Sequence, residues 1–123
     1  MFCLMPEDRL VAENTLANAI PDKYPVTDGH LLVIPKRHAD DYFALTTDEV
    51  LACDALLRQL RTDIQDSDSS VEGFNIGMNA GEVAGQTVFH CHIHLIPVLF
   101  CILFWSLLVS HLNFFSFNLF FRQ

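Results

Sequence analysis

Three histidines alternate with apolar residues in one short run, at His90, His92 and His94. Successive side chains of a β-strand point to opposite faces of the sheet, so a strand over 88–96 would carry all three imidazoles on one face. Imidazole has an unperturbed pKa of ~6.5, which lets it act as nucleophile, base, acid or metal ligand near neutral pH. The run therefore predicts a functional site. The residues between and beside the histidines are expected to face the core: Phe89, Cys91, Ile93 and Leu95.

A loop rich in small residues leads directly into this run. Gly81 and Gly85 permit tight turns and a close backbone approach to a ligand, and they leave N–H groups available to anions. Asn79 and Gln86 add side-chain amide donors that suit phosphate oxygens. The loop and the histidines together predict a site for a substrate that carries phosphate.

The loop and the histidines form one ordered motif over residues 79–97, Asn-x-Gly-x-x-x-Gly-Gln-x-Val-x-His-x-His-x-His-x-x-Pro. This motif resembles that of the histidine triad family of nucleotide hydrolases and transferases, and the chain resembles its bacterial-type diadenosine polyphosphate hydrolases. A second match lies upstream, where residues 29–38 read Gly-His-Leu-Leu-Val-Ile-Pro-Lys-Arg-His. The resemblance covers about residues 8–97, and two separated motifs agree in order and spacing.

The resemblance implies a covalent mechanism centred on His92. In the family, the middle histidine attacks the α-phosphorus of a nucleotide and forms a nucleotidyl-imidazole, which water then hydrolyses. An imidazole is a fair nucleophile only when it is neutral and its other nitrogen donates to a fixed acceptor. The resemblance assigns that acceptor to the carbonyl of His90, and it gives His94 and His30 contacts to phosphate oxygens or support of the ring. The implied substrate is a dinucleoside polyphosphate or a nucleoside phosphoramidate.

Four further residues are implied as contacts of the substrate. Gln86 would hold a phosphate oxygen near the leaving group, and Asn79 would help to bind the phosphate. Ile20 would pack on the base, and Asp22 would accept hydrogen bonds from ribose hydroxyls. For Ile20 and Asp22 the residues alone leave a second interpretation open, a core isoleucine and a turn aspartate.

A metal site is the main alternative for the histidine run. Zinc binds His-x-His on a strand but needs further ligands, for which His38 and Cys3 are candidates. Some bacterial-type members of the family hold zinc with an N-terminal Cys-x-x-Cys, a histidine like His38 and the first triad histidine, here His90. This chain has only the second of those cysteines. We expect catalysis to require no cofactor, with a structural zinc as the alternative. The alternative function is a non-catalytic module that binds nucleotide or zinc.

The coarse pattern of elements predicts an α+β domain over residues 1–97. Two short strands are expected within 10–20, a buried strand over 31–34 and another strand over 74–78. A single long helix is expected between the strand over 31–34 and the strand over 74–78. Strands before and after one main helix indicate a mostly antiparallel sheet of about five strands.

The main helix has a recognisable start and one apolar face. Thr46 and Glu49 have the spacing of a capping box, so the helix is expected to begin there and to run to about Ile64. Its apolar stripe follows spacings of three and four residues: Val50, Cys53, Leu57, Leu60 and Ile64. We expect the stripe to cover the sheet. The alternative is a contact in a homodimer, which the resemblance favours.

Composition limits the partners and the compartment. The 123 residues include 15 acidic and seven basic side chains, with a formal net charge of −8. A nucleic-acid groove requires a basic patch, so we expect no nucleic-acid partner. The four cysteines form no Cys-x-x-Cys pair, and charged residues interrupt the N-terminus before a secretory signal could form. These features predict a cytoplasmic protein with reduced thiols.

The chain changes character after the second motif, which separates a tail over 98–123 from the domain. Residues 98–121 contain no Asp, Glu, Lys or Arg. This length matches a transmembrane helix, which needs ~20 apolar residues. However, His111, Asn113 and Asn118 make its second half a poor membrane segment. Three explanations therefore stay open: a divergent end, a membrane anchor through 98–121, or a helix packed on the domain.

Overall fold

The computed structural model describes Phe2 and residues 7–99, which form one antiparallel sheet and one long helix. The elements in chain order are β1 (Ala12–Glu13), β2 (Ala17–Pro21), β3 (Leu31–Pro35), α1 (Thr47–Ser67), β4 (Val71–Gly77) and β5 (Ile93–Leu99). The strand order across the sheet is β1-β2-β3-β5-β4, and every neighbouring pair is antiparallel. The α+β fold with five strands and one main helix is thus confirmed.

The start of α1 is the capping box that the sequence predicts. The Thr46 hydroxyl accepts from the Glu49 N–H at 3.2 Å, and the Glu49 carboxylate accepts from the Thr46 N–H at 2.8 Å. Both backbone donors are satisfied reciprocally, which fixes the first turn. The helix ends at Ser67, three residues beyond the predicted Ile64.

The main core lies between α1 and one face of the sheet. Within the predicted stripe, Cys53 and Leu60 are buried, and Leu57 and Ile64 pack on the core as partly buried residues. Leu56, which the stripe omitted, is also buried. The stripe therefore covers the sheet, as expected. Its alternative role in a homodimer stays a prediction, because the structure contains one chain.

The opposite face of the sheet carries a smaller apolar cluster of Ile20, Leu32 and Ile34. His94 in β5 lies directly across from Leu32 in β3. Residues directly opposite in an antiparallel pair share a face, so His94 projects from the side of the sheet away from α1. The helix covers one face and leaves the other for the histidines.

The expected strand over 88–96 is wrong at its beginning. Strand β5 starts at Ile93, so His90 and His92 lie in an irregular segment that precedes it. The reason is a tertiary hydrogen bond: the Cys91 N–H donates to the Ala39 carbonyl at 2.7 Å instead of joining a strand ladder. Cys91 and Ile93 are buried as expected, whereas Phe89 is 49% exposed.

Strand β5 continues through Leu99, where it pairs with Val71 at the start of β4. The rest of the tail lies outside the described residues, so its three explanations stay predictions. Within the described part of the chain, no helix combines the length and apolar character needed to cross a membrane.

Candidate active site

His92 is held by the backbone of its own segment. Its Nδ1 lies 2.8 Å from the carbonyl oxygen of His90. A carbonyl can only accept, so Nδ1 carries the hydrogen and the neutral ring keeps a lone pair on Nε2. The ring is half-buried. This arrangement produces the tautomer that a nucleophilic imidazole needs.

The His90 side chain is anchored to the end of strand β3. Its Nε2 lies 3.0 Å from the Pro35 carbonyl at the end of β3, and it therefore donates to that oxygen. The ring packs edge-on against His38, with centroids 4.9 Å apart, and against Phe2. Burial lowers the pKa of His90, and the bond to the Pro35 carbonyl acts in the opposite direction. His90 is thus a buried support, and its own carbonyl positions His92.

His30 and His94 form a buried pair behind His92. The Val26 N–H donates to His30 Nδ1 at 3.0 Å, so in the neutral ring the hydrogen lies on Nε2. His30 Nε2 is 2.9 Å from His94 Nδ1 and donates to it. His94 must then carry its own hydrogen on Nε2. Burial, together with His92 and His30, lowers the pKa of His94 to about 3, so that ring is neutral at pH 7.

Asp22 lies against the same pair. It is 7% exposed, and its Oδ1 accepts from the Tyr24 N–H at 2.8 Å. Its Oδ2 lies 3.3 Å from His30 Nε2 and 3.6 Å from His94 Nδ1. Burial lowers the pKa of His30, and the nearby Asp22 carboxylate partly offsets that shift. In this conformation Asp22 faces the histidines through one oxygen. Its predicted bond to ribose stays a prediction.

Ile20 and Asn79 lie in different surroundings. Ile20 is 1% exposed within the cluster on the helix-free face, so contact with a base would need some of that cluster to open. Asn79 is half-buried beside Gly85, where a Cβ would meet the Asn79 Nδ2 at 3.1 Å. Gly81 and Gly85 both have φ of +95°, a region that favours glycine. Both glycines let the loop turn, and Gly85 also lets it pass close to the Asn79 side chain.

Gln86 differs most from what its predicted role requires. It is 3% exposed, and its Nε2 donates to the carbonyls of Asp40 and Val88. Its Oε1 accepts from the Gly81 N–H at 2.7 Å. The predicted bond from Gln86 to a phosphate oxygen would therefore require the release of a backbone carbonyl.

Backbone groups complete the site, and sequence reasoning did not identify them. The Val26 N–H fixes His30, the Pro35 carbonyl fixes His90, and the Ala39 carbonyl holds the segment between His90 and His92. Every residue has these groups, so residue type gave no signal for them. The proline that ends β3 was the one feature that pointed to this position.

One group of described residues brings three candidate metal ligands together. Atoms of Asp22, His30 and His94 all lie within 4.8 Å of one another, and all three residues are buried. Here, however, the Val26 N–H occupies His30 Nδ1, which places the hydrogen on the Nε2 that would face an ion. A cation bound to Nε2 would require that hydrogen to move to Nδ1. Nδ1 could then no longer accept from the Val26 N–H.

The predicted zinc ligands are only partly within the described residues. His38 and His90 pack together, and His38 Nε2 lies 3.0 Å from the Asp40 carboxylate. Cys3 lies outside the described residues. A zinc held by these three residues stays a prediction.

The family assignment follows from comparison with known proteins. The HIT domain model matches residues 5–99, which is most of the chain. The chain is 40% identical over 87 residues to an uncharacterised HIT-like protein of Mycoplasma genitalium, covering 71% of this chain and 61% of that protein. It is 34% identical over 92 residues to an AP-4-A phosphorylase of Mycobacterium tuberculosis, covering 74% of this chain and 47% of the enzyme. The chain therefore belongs to the histidine triad family, and it spans about three fifths or less of these two relatives.

Solved structures show the same fold. A hypothetical histidine triad nucleotide-binding protein from Sulfolobus tokodaii matches with a TM-score of 0.72 and 34% identity, over 80% of this chain and 68% of that chain. Diadenosine triphosphate hydrolase from Plasmodium falciparum matches with a TM-score of 0.69 and 25% identity, over 78% of this chain and 65% of that chain. These matches show that the five-stranded sheet and its helix are the fold of the histidine triad family.

Proposed function

We propose that the protein transfers or hydrolyses a nucleoside 5′-phosphoryl group through a covalent nucleotidyl intermediate on His92. The observation that carries this proposal is the 2.8 Å contact between His92 Nδ1 and the His90 carbonyl. It leaves the lone pair on Nε2, which is the electronic state required of a nucleophile. His90 also donates to a backbone carbonyl but is buried, whereas the His92 ring is only half-buried and can meet a substrate.

In the first step, His92 Nε2 attacks the α-phosphorus, and the bond from phosphorus to the leaving group breaks. The leaving group takes the electron pair of that bond and a proton from solvent, and His92 becomes a nucleotidyl-imidazolium that keeps its hydrogen on Nδ1. In the second step, water attacks the same phosphorus, the electron pair of the P–N bond returns to Nε2, the water gives up a proton to solvent, and His92 regains its neutral form. Negative charge develops on the phosphoryl and leaving-group oxygens, so aimed donors are the main source of rate.

The surrounding residues supply those donors in this proposal. His94 offers the hydrogen on Nε2 to a phosphoryl oxygen, and His30 keeps His94 in that tautomer. Asn79 binds the phosphate, whereas the Gly81, Gly85 and Gln86 N–H groups already donate within the loop and hold its shape. Every protein group in this scheme is a nucleophile or a hydrogen-bond donor, so the proposed chemistry requires no cofactor.

For the substrate, we propose a dinucleoside polyphosphate, with a nucleoside phosphoramidate as the alternative. Two relatives support the first choice, because their names are AP-4-A phosphorylase and diadenosine triphosphate hydrolase. Ile20 and Asp22 are the proposed contacts of the base and ribose. We further propose that the protein acts as a cytoplasmic homodimer, without nucleic acid, and that the tail takes no part in the chemistry.

Trapping the intermediate tests this proposal. Protein mixed with nucleotide labelled at the α-phosphate is quenched during turnover in alkaline denaturant. A phosphoramidate keeps the label in alkali and releases it in acid. The nucleotides to be tested are adenosine and guanosine polyphosphates and phosphoramidates. If the protein binds these nucleotides but none of them produces labelling or turnover, the non-catalytic module would be favoured instead.

A further inference from the structure

We propose that Gln86 is a positioning residue that joins the glycine loop to the segments on either side of it. We call its side chain and its three backbone partners the Gln86 clasp: the Gly81 N–H, the Asp40 carbonyl and the Val88 carbonyl. This inference rests on the proposed function, because it concerns how the same phosphate site keeps its shape. It replaces a direct role for Gln86 on the substrate with an indirect one.

The hydrogen-bonding capacity of the side chain supports an indirect role. A glutamine amide has two N–H hydrogens and one acceptor oxygen. Nε2 donates to Val88 O at 3.0 Å and to Asp40 O, which uses both hydrogens. Oε1 accepts from Gly81, and an oxygen acceptor cannot bind a phosphate oxygen that bears no hydrogen. With 3% of the residue exposed, nothing on this amide remains to donate to a substrate.

On one side, the clasp closes the glycine loop. The Gln86 N–H also donates to the Gly81 carbonyl at 3.1 Å, so Gly81 and Gln86 are joined twice across the Glu82–Ala84 turn. The closed loop places Gly85 against the Asn79 side chain. The clasp therefore sets the position of Asn79, a proposed phosphate contact.

On the other side, the clasp supports the segment that precedes the nucleophile. Gln86 Nε2 donates to the Asp40 carbonyl, and the Cys91 N–H donates to the neighbouring Ala39 carbonyl. The segment over 86–91 is therefore attached to residues 39–40 at both of its ends. His90 lies within that segment. Its carbonyl fixes His92 Nδ1. One buried amide thus connects the phosphate-binding loop with the support of the nucleophile.

Removing the Gln86 amide should loosen both the glycine loop and the segment that precedes His92. Gln86→Met keeps the length of the side chain and removes its three hydrogen bonds. Gln59→Met on the exposed face of α1 is the matched control. In substrate-free protein, Gln86→Met should speed hydrogen exchange of the Gly81 amide by about five- to tenfold, the factor for loss of one ordinary hydrogen bond. The control should leave that rate unchanged. An unchanged Gly81 rate in Gln86→Met would overturn the clasp.

A double-mutant cycle distinguishes positioning from direct contact. If Gln86 acts by placing Asn79, then Asn79→Ala should cost much less kcat/KM in the Gln86→Met background than in the wild type. The loss in Gln86→Met should also appear in both kcat and KM. Additive effects, or a loss confined to kcat, would overturn the proposal in favour of a direct donor. If Gln86→Met fails to fold, Gln86→Ala carries the same cycle, because it also removes all three hydrogen bonds and leaves space for water to reach their backbone partners. Absence of turnover in the wild type would refute the proposed function alone, since hydrogen exchange needs no activity.

Discussion

The facing ring nitrogens of His30 and His94 lie 2.9 Å apart within the core of the site, and the two neutral rings can form this bond in one direction only. The Val26 N–H occupies the far nitrogen of His30, so His30 donates and His94 accepts. A single backbone N–H therefore determines the tautomer of a side chain two hydrogen bonds away. The fold therefore places the hydrogen of neutral His94 on Nε2, the nitrogen proposed to contact the phosphate.

This relationship predicts how stability changes with pH. The folded state holds the pKa of His94 at about 3, below the unfolded value of ~6.5. The unfolded chain therefore binds more protons between those values, so the free energy of unfolding should fall as pH falls from 7 to 5. His94→Gln should show a shallower fall in Tm over this interval than the wild type. Parallel Tm curves would contradict the assigned neutral state.

The ion pair between Arg37 and Glu49 predicts a second effect on stability. The guanidinium of Arg37 and the Thr46 N–H lower the pKa of the Glu49 carboxyl to about 2. This contribution to stability is complete above about pH 4.5 and is lost as pH falls toward 2. At pH 7, Arg37→Met should lower Tm by a few degrees, because it removes a bidentate bond to a buried carboxylate.

The control for Arg37→Met is Arg58→Met. Arg58 pairs with Asp54 at 2.8 Å, but both side chains are exposed. Exposed pairs contribute little to stability, so the control should leave Tm nearly unchanged. If Tm fell equally in Arg37→Met and Arg58→Met, the pair of Arg37 and Glu49 would contribute no more to stability than an exposed ion pair.

The chemistry is predicted to survive a strong chelator. His92 attacks as a neutral imidazole and the proposed phosphate contacts are hydrogen-bond donors, so no step depends on an ion. Turnover after dialysis against chelator should match that of the untreated protein, with metal content measured in both samples. Loss of turnover together with released zinc, restored when zinc is added back, would favour the zinc interpretation. His38, His90 and Cys3 would then be tested as ligands.

The tail is predicted to be dispensable for chemistry and harmful to solubility. Strand β5 extends to Leu99, so the appropriate truncation is after that residue and not after Pro97. The removed segment contains seven of the 11 phenylalanines, which is an aggregation liability if they are exposed. The shortened chain should be more soluble and should still form the His92 intermediate.

Sedimentation of the full chain without detergent separates the explanations for the tail. A soluble monomer or dimer would exclude a membrane anchor. A shortened chain that does not fold would show that the tail packs on the domain, and it would contradict the predicted gain in solubility.

Local patterns predicted the elements well, because their causes are local. Thr46 and Glu49 announce the helix through contacts three residues apart, and the apolar run over 31–34 identifies a central strand. The beginning of β5 was missed because Cys91 bonds to Ala39, which is far away in sequence.

The candidate site shows the same division between local and distant causes. The spacing of the histidines and the loop identified its members, and the structure brings His30, His92 and His94 together. The tautomers of His30 and His90 depend on the backbone of Val26 and Pro35, which leaves no trace in residue type. The His90 carbonyl that sets the tautomer of His92 was implied by the resemblance alone. The surroundings of Gln86 were not predictable either, because one of its partners, Asp40, lies 46 residues away in the chain and is brought there only by folding.

The proposed mechanism depends most on His92 as the residue that becomes nucleotidylated. His92→Asn removes the attacking nitrogen, so it should abolish turnover while nucleotide affinity stays within about tenfold of the wild type, because binding uses other groups. The most direct measurement is mass spectrometry of peptides from protein quenched in alkali during turnover. We predict a mass increase of one nucleotidyl group, a nucleoside monophosphate less water, on the peptide that contains His92, localised to that side chain and absent in His92→Asn. A nucleotidyl group on another residue, or wild-type turnover by His92→Asn, would contradict the account.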